Sequence, residues 1–245
     1  AIDADNVEAL GIYAAILYRL GDPDRALTNA QRAVELDPDA IAANVVILDD
    51  MIRRGESDQA VIVLDELLER QPEDQTLNVF KLRMAVNSGD ERAVEQQLVR
   101  MVSLFPDAPQ YRVALAQLLV QRDRVDEAEA QLRALVETRP DDADSAMVLV
   151  ELLGAVRGLD AAQAELERLI AASDADSRYA RLLTIALADL YTEADQPDQA
   201  RTVLQAALEA TDRPAASDRL RVRLPELELA EGNLAEATTL TDTVL

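Results

Sequence analysis

Residues 106–140 read P-DAPQYRVALAQLLVQRDRVDEAEAQLRALVETR-P, and the rest of the chain is organised around this stretch. Two apolar runs at helical spacing are separated by a polar turn, and a proline closes each end. Pro38, Pro72 and Pro106 follow one another at equal steps of thirty-four positions. The alanine ahead of the second apolar run keeps the same step at Ala26, Ala60, Ala128 and Ala162, with Val94 substituting in the third position. Turn-forming Gly21, Gly55 and Gly89 keep it too. A fixed period between about 20 and 50 residues marks stacked supersecondary units, each able to bury its apolar face only against its neighbours. The expected fold is therefore all-α, with about fourteen antiparallel helices, no strand, and a mean helix length near 11–12 residues.

The period divides the 245 residues into one array of about seven units, at 7–40, 41–74, 75–108, 109–142, 143–176, 177–214 and 215–245. In the first unit Asp22 is placed to cap the second helix, Pro23 suits its first position, and Asp24 favours its dipole. Asp126 is expected to cap the corresponding helix of the fourth unit. The period slips once, because Ala200 stands four positions later than one period after Ala162. Four residues are close to one helical turn, so the sixth unit is expected to carry a longer first helix, from about Ser177 to Ala194, and a second from about Pro197 to Ala210. Pro225 should kink the first helix of the seventh unit or delay its start.

Composition excludes several classes of function. Asp and Glu number 47 against 24 Lys and Arg, a net charge of −23. Such a surface repels phosphate backbones, and nucleic-acid affinity rests on counterion release by basic side chains, so nucleic acid is not the expected partner. Aromatics are 3%, leaving few platforms for stacked bases or sugars. Cysteine and histidine are absent, which removes disulfides, thiol nucleophiles, the usual zinc sites and both Ser-His-Asp and Cys-His catalysis. No phosphate loop or G-x-G-x-x-G is present. Adjacent carboxylates such as Asp49-Asp50 and Asp141-Asp142 arise by chance among 47 acids. Asp174-Ala-Asp176 lacks the glycine and glutamate of a calcium loop and reads as a polar turn and helix cap. The chain is expected to be no enzyme, with no catalytic or metal-binding residues and no cofactor.

Lys81 is the single lysine beside 23 arginines, a bias that fits a GC-rich bacterial genome or an acidic surface suited to high salt. Arg219, Arg221 and Arg223 stand out in so acidic a chain. The favoured reading is pairing with acids of the preceding unit, such as Glu209, over an anion site. No run of 18 apolar residues exists, so no membrane span is expected. The chain begins at Ala1, and Asp3 and Asp5 align one period back with Asp37 and Asp39, so a fragment of a longer chain is expected. Nothing in the residues assigns a compartment, periplasmic, envelope or cytoplasmic.

Two helices per period, small residues at fixed places and a closing proline resemble the tetratricopeptide repeat. Leu10, Tyr13-Ala14, Leu17, Gly21, Ala26, Ala33 and Asp37-Pro38 carry the resemblance in the first unit, and Leu115-Ala116, Leu119, Ala128, Leu135 and Pro140 in the fourth. Asn44 and Asn78 stand where the family places a large apolar residue, and Pro225 replaces a small one, so local packing is expected to differ there. The resemblance implies a right-handed superhelical solenoid whose concave face is lined by the first helix of each unit, and protein binding as its role. The family's clamp for chaperone tails needs lysine and asparagine on first helices, where Lys81 stands alone. RNA-binding pentatricopeptide relatives normally have a basic surface, which this chain lacks.

On that implied face two rows run in register. One is Gly11, Val45, Val79, Val113, Met147, Ile185 and Val222; the other, two turns on, is Tyr18, Ile52, Val86, Val120, Gly154, Thr192 and Leu229. Between them lie Ala15, Asp49, Arg83, Gln117, Glu151, Asp189 and Glu226. The candidate partner-binding residues are Val45, Asp49, Ile52, Val79, Arg83, Val86, Val113, Gln117, Val120, Met147 and Glu151. An apolar floor with an acidic margin suits a peptide, helix or partner domain carrying basic residues. The alternative is a self-associating structural segment of a larger bacterial envelope or secretion protein, with a homodimer covering the groove.

Overall fold

The computed structural model describes residues 5–210 and 218–244. Among the described residues there are fourteen α-helices and no strand. They form seven helix pairs: α1 (Val7–Arg19) with α2 (Pro23–Leu36), α3 (Ile41–Arg53) with α4 (Ser57–Arg70), α5 (Gln75–Ser88) with α6 (Glu91–Leu104), α7 (Pro109–Gln121) with α8 (Val125–Thr138), α9 (Ala143–Arg157) with α10 (Leu159–Ala171), α11 (Arg178–Glu193) with α12 (Pro197–Glu209), and α13 (Asp218–Ala230) with α14 (Leu234–Val244). Two compact units, Ala1–Ala108 and Pro109–Leu245, divide the chain. Within each unit consecutive helices pack together, and first helices also touch the first helix of the next pair, as α1 touches α3 and α9 touches α11. The boundary read at 214/215, the start of the chain at Asp3 and the side chain of Arg219 lie outside the described residues.

Five of the seven turns inside the pairs share one backbone device. Gly21 N–H donates to Tyr18 O at 3.1 Å and Asp22 N–H donates to Leu17 O at 3.0 Å, closing α1 with the paired bonds of a Schellman cap. The cap requires a left-handed residue, and Gly21 has φ +83°. Gly55 and Gly232 repeat the arrangement, and Asp123 and Asp195 occupy the same place at φ 59° and 58°. Glycine is the signal that marks such a turn in sequence, so these two escape it, although aspartate also tolerates this conformation.

N-terminal caps follow the expectation in part. Asp22 Oδ1 accepts from Arg25 N–H at 3.3 Å, with Pro23 in the first helical position. Asp74, Asp90 and Ser177 cap α5, α6 and α11. Asp126 does not cap α8: the helix starts two residues earlier than that cap would place it, Arg124 holds the cap position, and Asp126 sits in the first turn paired with Arg157.

Small residues set the packing of the first pair. Ala26, Ala30 and Ala33 on α2 are fully buried against Ala14, Leu17 and Ala43. Larger side chains take over next, where Leu48, Leu64, Leu67, Leu77 and Phe80 form one cluster. Burying each leucine contributes about 1.5–3 kcal/mol. Gly11, expected at the edge of the open face, is buried instead. A methyl there would meet Ala42 Cβ at 3.1 Å, so α1 and α3 touch at this point.

The slip in the sixth unit is shared between helix and loop. The helix α11 has 16 residues where α1, α3 and α7 have 13. The connection before it, residues 172–177, is two longer than the 139–142 turn, and α10 ends a residue short. Asp174 forms the polar turn expected of it, its Oδ1 accepting from Asp176 N–H at 3.0 Å and its carbonyl from Ser177 N–H at 2.9 Å. The helix α13 begins seven residues ahead of Pro225 and continues past it, so the proline does not delay its start.

Asn44 and Asn78 do not loosen their units. Asn78 Nδ2 donates to Pro72 O at 3.0 Å and to Asp74 O at 2.8 Å, and Asn44 Nδ2 donates to Pro38 O and Ala40 O in the same way. Each side chain ties its helix to the turn that precedes it.

Candidate protein-binding faces

In the first compact unit, α3 carries Val45, Asp49 and Ile52, and α5 carries Val79, Arg83 and Val86. Val45 and Ile52 are half-buried, whereas Val79 and Val86 are 43% and 57% exposed. Arg83 Nη2 reaches Asp49 Oδ1 at 2.5 Å, one repeat away, while its guanidinium lies 4.3 Å from the centre of the Phe80 ring. Burial pushes the Asp49 carboxyl above its ordinary value, against the opposing pull of Arg83. The margin expected to be acidic is therefore partly neutralised, and α5 presents an apolar, cationic, apolar stripe.

In the second compact unit, Val113, Gln117 and Val120 on α7 share a cleft of about 400 Å³ with Glu151 on α9. Ala116, Leu132 and Val148 complete its apolar wall, and Gln117 and Glu151 stand exposed at its edge. Met147 lies one turn before Glu151, half-buried, and is not part of the lining. Further on, Arg223 pairs with Asp189 of α11 and, at 2.9 Å, with Glu226. Of these arginines, Arg223 thus meets an acid of the preceding pair, Asp189.

Sequence reading missed a set of buried carboxylates. Glu165 is 5% exposed and is held by Arg168 at 2.6 Å and Arg133 at 2.9 Å. Glu228 is gripped by Arg201 at 2.5 Å and by Asn233 Nδ2 at 2.8 Å. Asp50 is met by Arg53 from its own helix and by Arg54 at that helix's C-cap. The available signal was an acid at an apolar register position with arginine three residues later, as in Asp50 and Arg53, whereas Glu165 shares its register with Gln97 and Gln131. Each is satisfied internally, so these groups are structural. Tyr191 donates to Glu167, and that bond together with burial pushes its hydroxyl up to about 12. Among the described residues no cluster of three or more potential metal ligands occurs, and no helix is long and apolar enough to cross a membrane.

Family models of the tetratricopeptide repeat match residues 7–40, 86–152 and 182–206. The chain belongs to the tetratricopeptide repeat family. Proteins of this family are generally non-enzymatic scaffolds that bind protein partners. No curated protein matches the sequence. Solved structures similar to this tetratricopeptide repeat chain include a tetratricopeptide repeat protein from Parabacteroides merdae, at 15% identity and TM-score 0.47, covering 97% of this chain and 91% of that one. Pseudomonas aeruginosa PilF is similar at 16% identity and TM-score 0.49, over 83% of this chain and 92% of its own. Yeast Tom70 is similar at 18% identity and TM-score 0.47, over 99% of this chain but 51% of its own.

Proposed function

We propose that the chain is a scaffold that binds a peptide, helix or partner domain bearing basic side chains on the first-helix faces of its repeats. The observation that carries this reading is the cleft on α7 and α9, where Val113 and Val120 supply an apolar wall and Gln117 and Glu151 an exposed polar edge. Val79 and Val86 add exposed apolar area in the first unit. The test is retention of a protein partner, identified by mass spectrometry, on the immobilised chain. Val79→Asp with Val86→Asp, and separately Gln117→Arg with Glu151→Arg, are expected to lower retention at least about tenfold while moving the melting temperature little. Unchanged retention by both pairs, or a collapse of stability from the first pair, would overturn the reading.

A second reading, self-association, is favoured by one observation. Ile12, Tyr13 and Ile16 on α1, with Leu20 at its C-cap, form an exposed apolar stripe. Sedimentation velocity across concentrations separates the two, since a dimer built on this stripe would be lost in Ile12→Asp with Ile16→Asp.

A further inference from the structure

We infer that the cleft between α4 and α5 is an anchor pocket for one leucine or isoleucine side chain of an amphipathic helix whose neighbouring residues are basic. The inference rests on the protein-binding reading but concerns a different place, lined by none of Val79, Val86, Gln117 or Glu151.

It begins with a residue out of register. One period before and after position 81 stand Ile47 and Leu115, and two periods after it stands Leu149. Leu115 and Leu149 are 3% and 0% exposed core residues. Position 81 holds the chain's single lysine. A buried ammonium would need a partner and would lose its hydration, so Lys81 turns outward. Its Nζ lies 2.7 Å from Asp65 Oδ1 on α4, and its side chain is 38% exposed. Leucine closes this seam in the fourth and fifth pairs, whereas Ile47 and Tyr13 at the same register are partly exposed; beside Lys81 the seam lies open as a cleft of about 550 Å³. Ile52, Val61, Leu64 and Met84 line its interior, and Val61 remains 42% exposed, facing water in the absence of a covering side chain.

The chemistry of the lining selects the occupant. The walls are aliphatic with one adaptable thioether, which suits a branched aliphatic side chain. Asp58 and Asp90 stand exposed on the rim beside the Lys81–Asp65 pair, three carboxylates against one ammonium. On a helix, residues three or four apart share a face, so an arginine or lysine one turn from the anchor meets this rim. The net charge of −23 draws such a helix in and repels an acidic one.

The test uses the whole chain and a labelled alanine-based helical peptide with one central leucine and an arginine one turn to either side. Binding is followed by fluorescence anisotropy at physiological ionic strength, where distant charge attraction is screened. Lys81→Leu restores the side chain of the neighbouring repeats. It should raise the melting temperature and lower peptide affinity at least about tenfold. Val61→Glu should weaken binding similarly without repacking any core position, which keeps the test open if the first variant folds poorly. Acylation of Lys81 by an N-hydroxysuccinimide ester should slow when the peptide is present. Wild-type affinity in both variants, equal binding of a peptide with serine in place of leucine, or no binding of the parent peptide would each overturn the inference. Loss of binding in Val79→Asp with Val86→Asp but not in Lys81→Leu would place the peptide on the first-helix face, ending the pocket inference while leaving the scaffold reading intact.

Discussion

Asn78 makes more bonds than a side chain of its size usually does inside a core. Its amide nitrogen holds the Pro72 and Asp74 carbonyls, and its Oδ1 accepts from Gln97 Nε2 at 3.0 Å. Asn78→Leu, which restores the apolar residue usual in the family, would remove the two bonds that tie α5 to the turn before it and one of the two that the Gln97 amide donates, the other going to the Asn78 carbonyl. A hydrogen bond contributes about 0.5–1.5 kcal/mol net, so losing these bonds is expected to lower the urea midpoint despite the gain in apolar volume; a raised midpoint would count against the clamp. Glu165 makes a related case in charge. Burial by itself raises its carboxyl, but hydrogen bonds from Arg168 and Arg133 outweigh that and hold it below its ordinary value. A folded value below the unfolded one, which lies near about 4.3, gives stability that is present above that pH and is lost as pH falls through the folded value. Glu165→Gln should therefore be less stable than the parent at neutral pH, with the gap narrowing on acidification below about pH 4.5. A gap independent of pH would show that the ion pairs contribute nothing to folding. Neither role was legible in the sequence: Asn78 in a register the family keeps apolar looks like a packing defect, and Glu165 in a register shared with Gln97 and Gln131 looks like a surface residue until its partners are placed.

At the scale of helices and turns the repeat was legible wherever glycine or proline marked it. The cap at Asp22 and the helix pairs of the first four units follow from residue type and spacing. The turns at Asp123 and Asp195 were not legible, since a left-handed aspartate has no distinctive neighbours in the chain. A non-glycine residue at positive φ carries a strain of about 1 kcal/mol, so Asp123→Gly and Asp195→Gly are each expected to stabilise by up to about 1 kcal/mol in denaturant melts. Destabilisation by either would mean that the aspartate side chain supports its turn. The long helix α11 gives a second commitment. Ala180 N–H is held by Ser177 Oγ and Arg181 N–H by Ser177 O, so amide exchange protection should begin at Ala180 and Arg181. A helix starting at Arg181 would leave its first turn unprotected to about residue 184. Deleting Ser177–Ala180 looks from sequence like the loss of one spare turn. Tyr179 and Ala180 are buried, however, so the deletion should destabilise.

Over the whole molecule, the fixed period carried the fold into view, because a repeat encodes its neighbour's packing surface along with its own. The binding faces were legible only as register positions. Burial of Gly11, the Arg83–Asp49 pair and the empty place beside Lys81 all depend on how adjacent helices meet. Charge acts at this same scale. A net charge of −23 makes the folded chain repel itself, since folding gathers its carboxylates closer together than an expanded chain holds them. The local ion pairs work the other way and would be weakened by salt, but most have a partner at least one-third exposed, as Arg32–Asp5 and Arg70–Asp39 do. Such pairs are worth about 0–1 kcal/mol each, so the summed repulsion should dominate. Salt shortens the screening length from about 30 Å at 0.01 M to about 10 Å at 0.1 M, which reaches across neighbouring repeats. The melting temperature is therefore expected to rise as sodium chloride increases from low millimolar to about 0.15 M, where the screening length is about 8 Å, and then to level off. Potassium chloride should act equally, because screening depends on ionic strength and not on the identity of the ion. A melting temperature that falls over that range would mean that the arginine–carboxylate pairs, more than the repeat packing, hold this chain together.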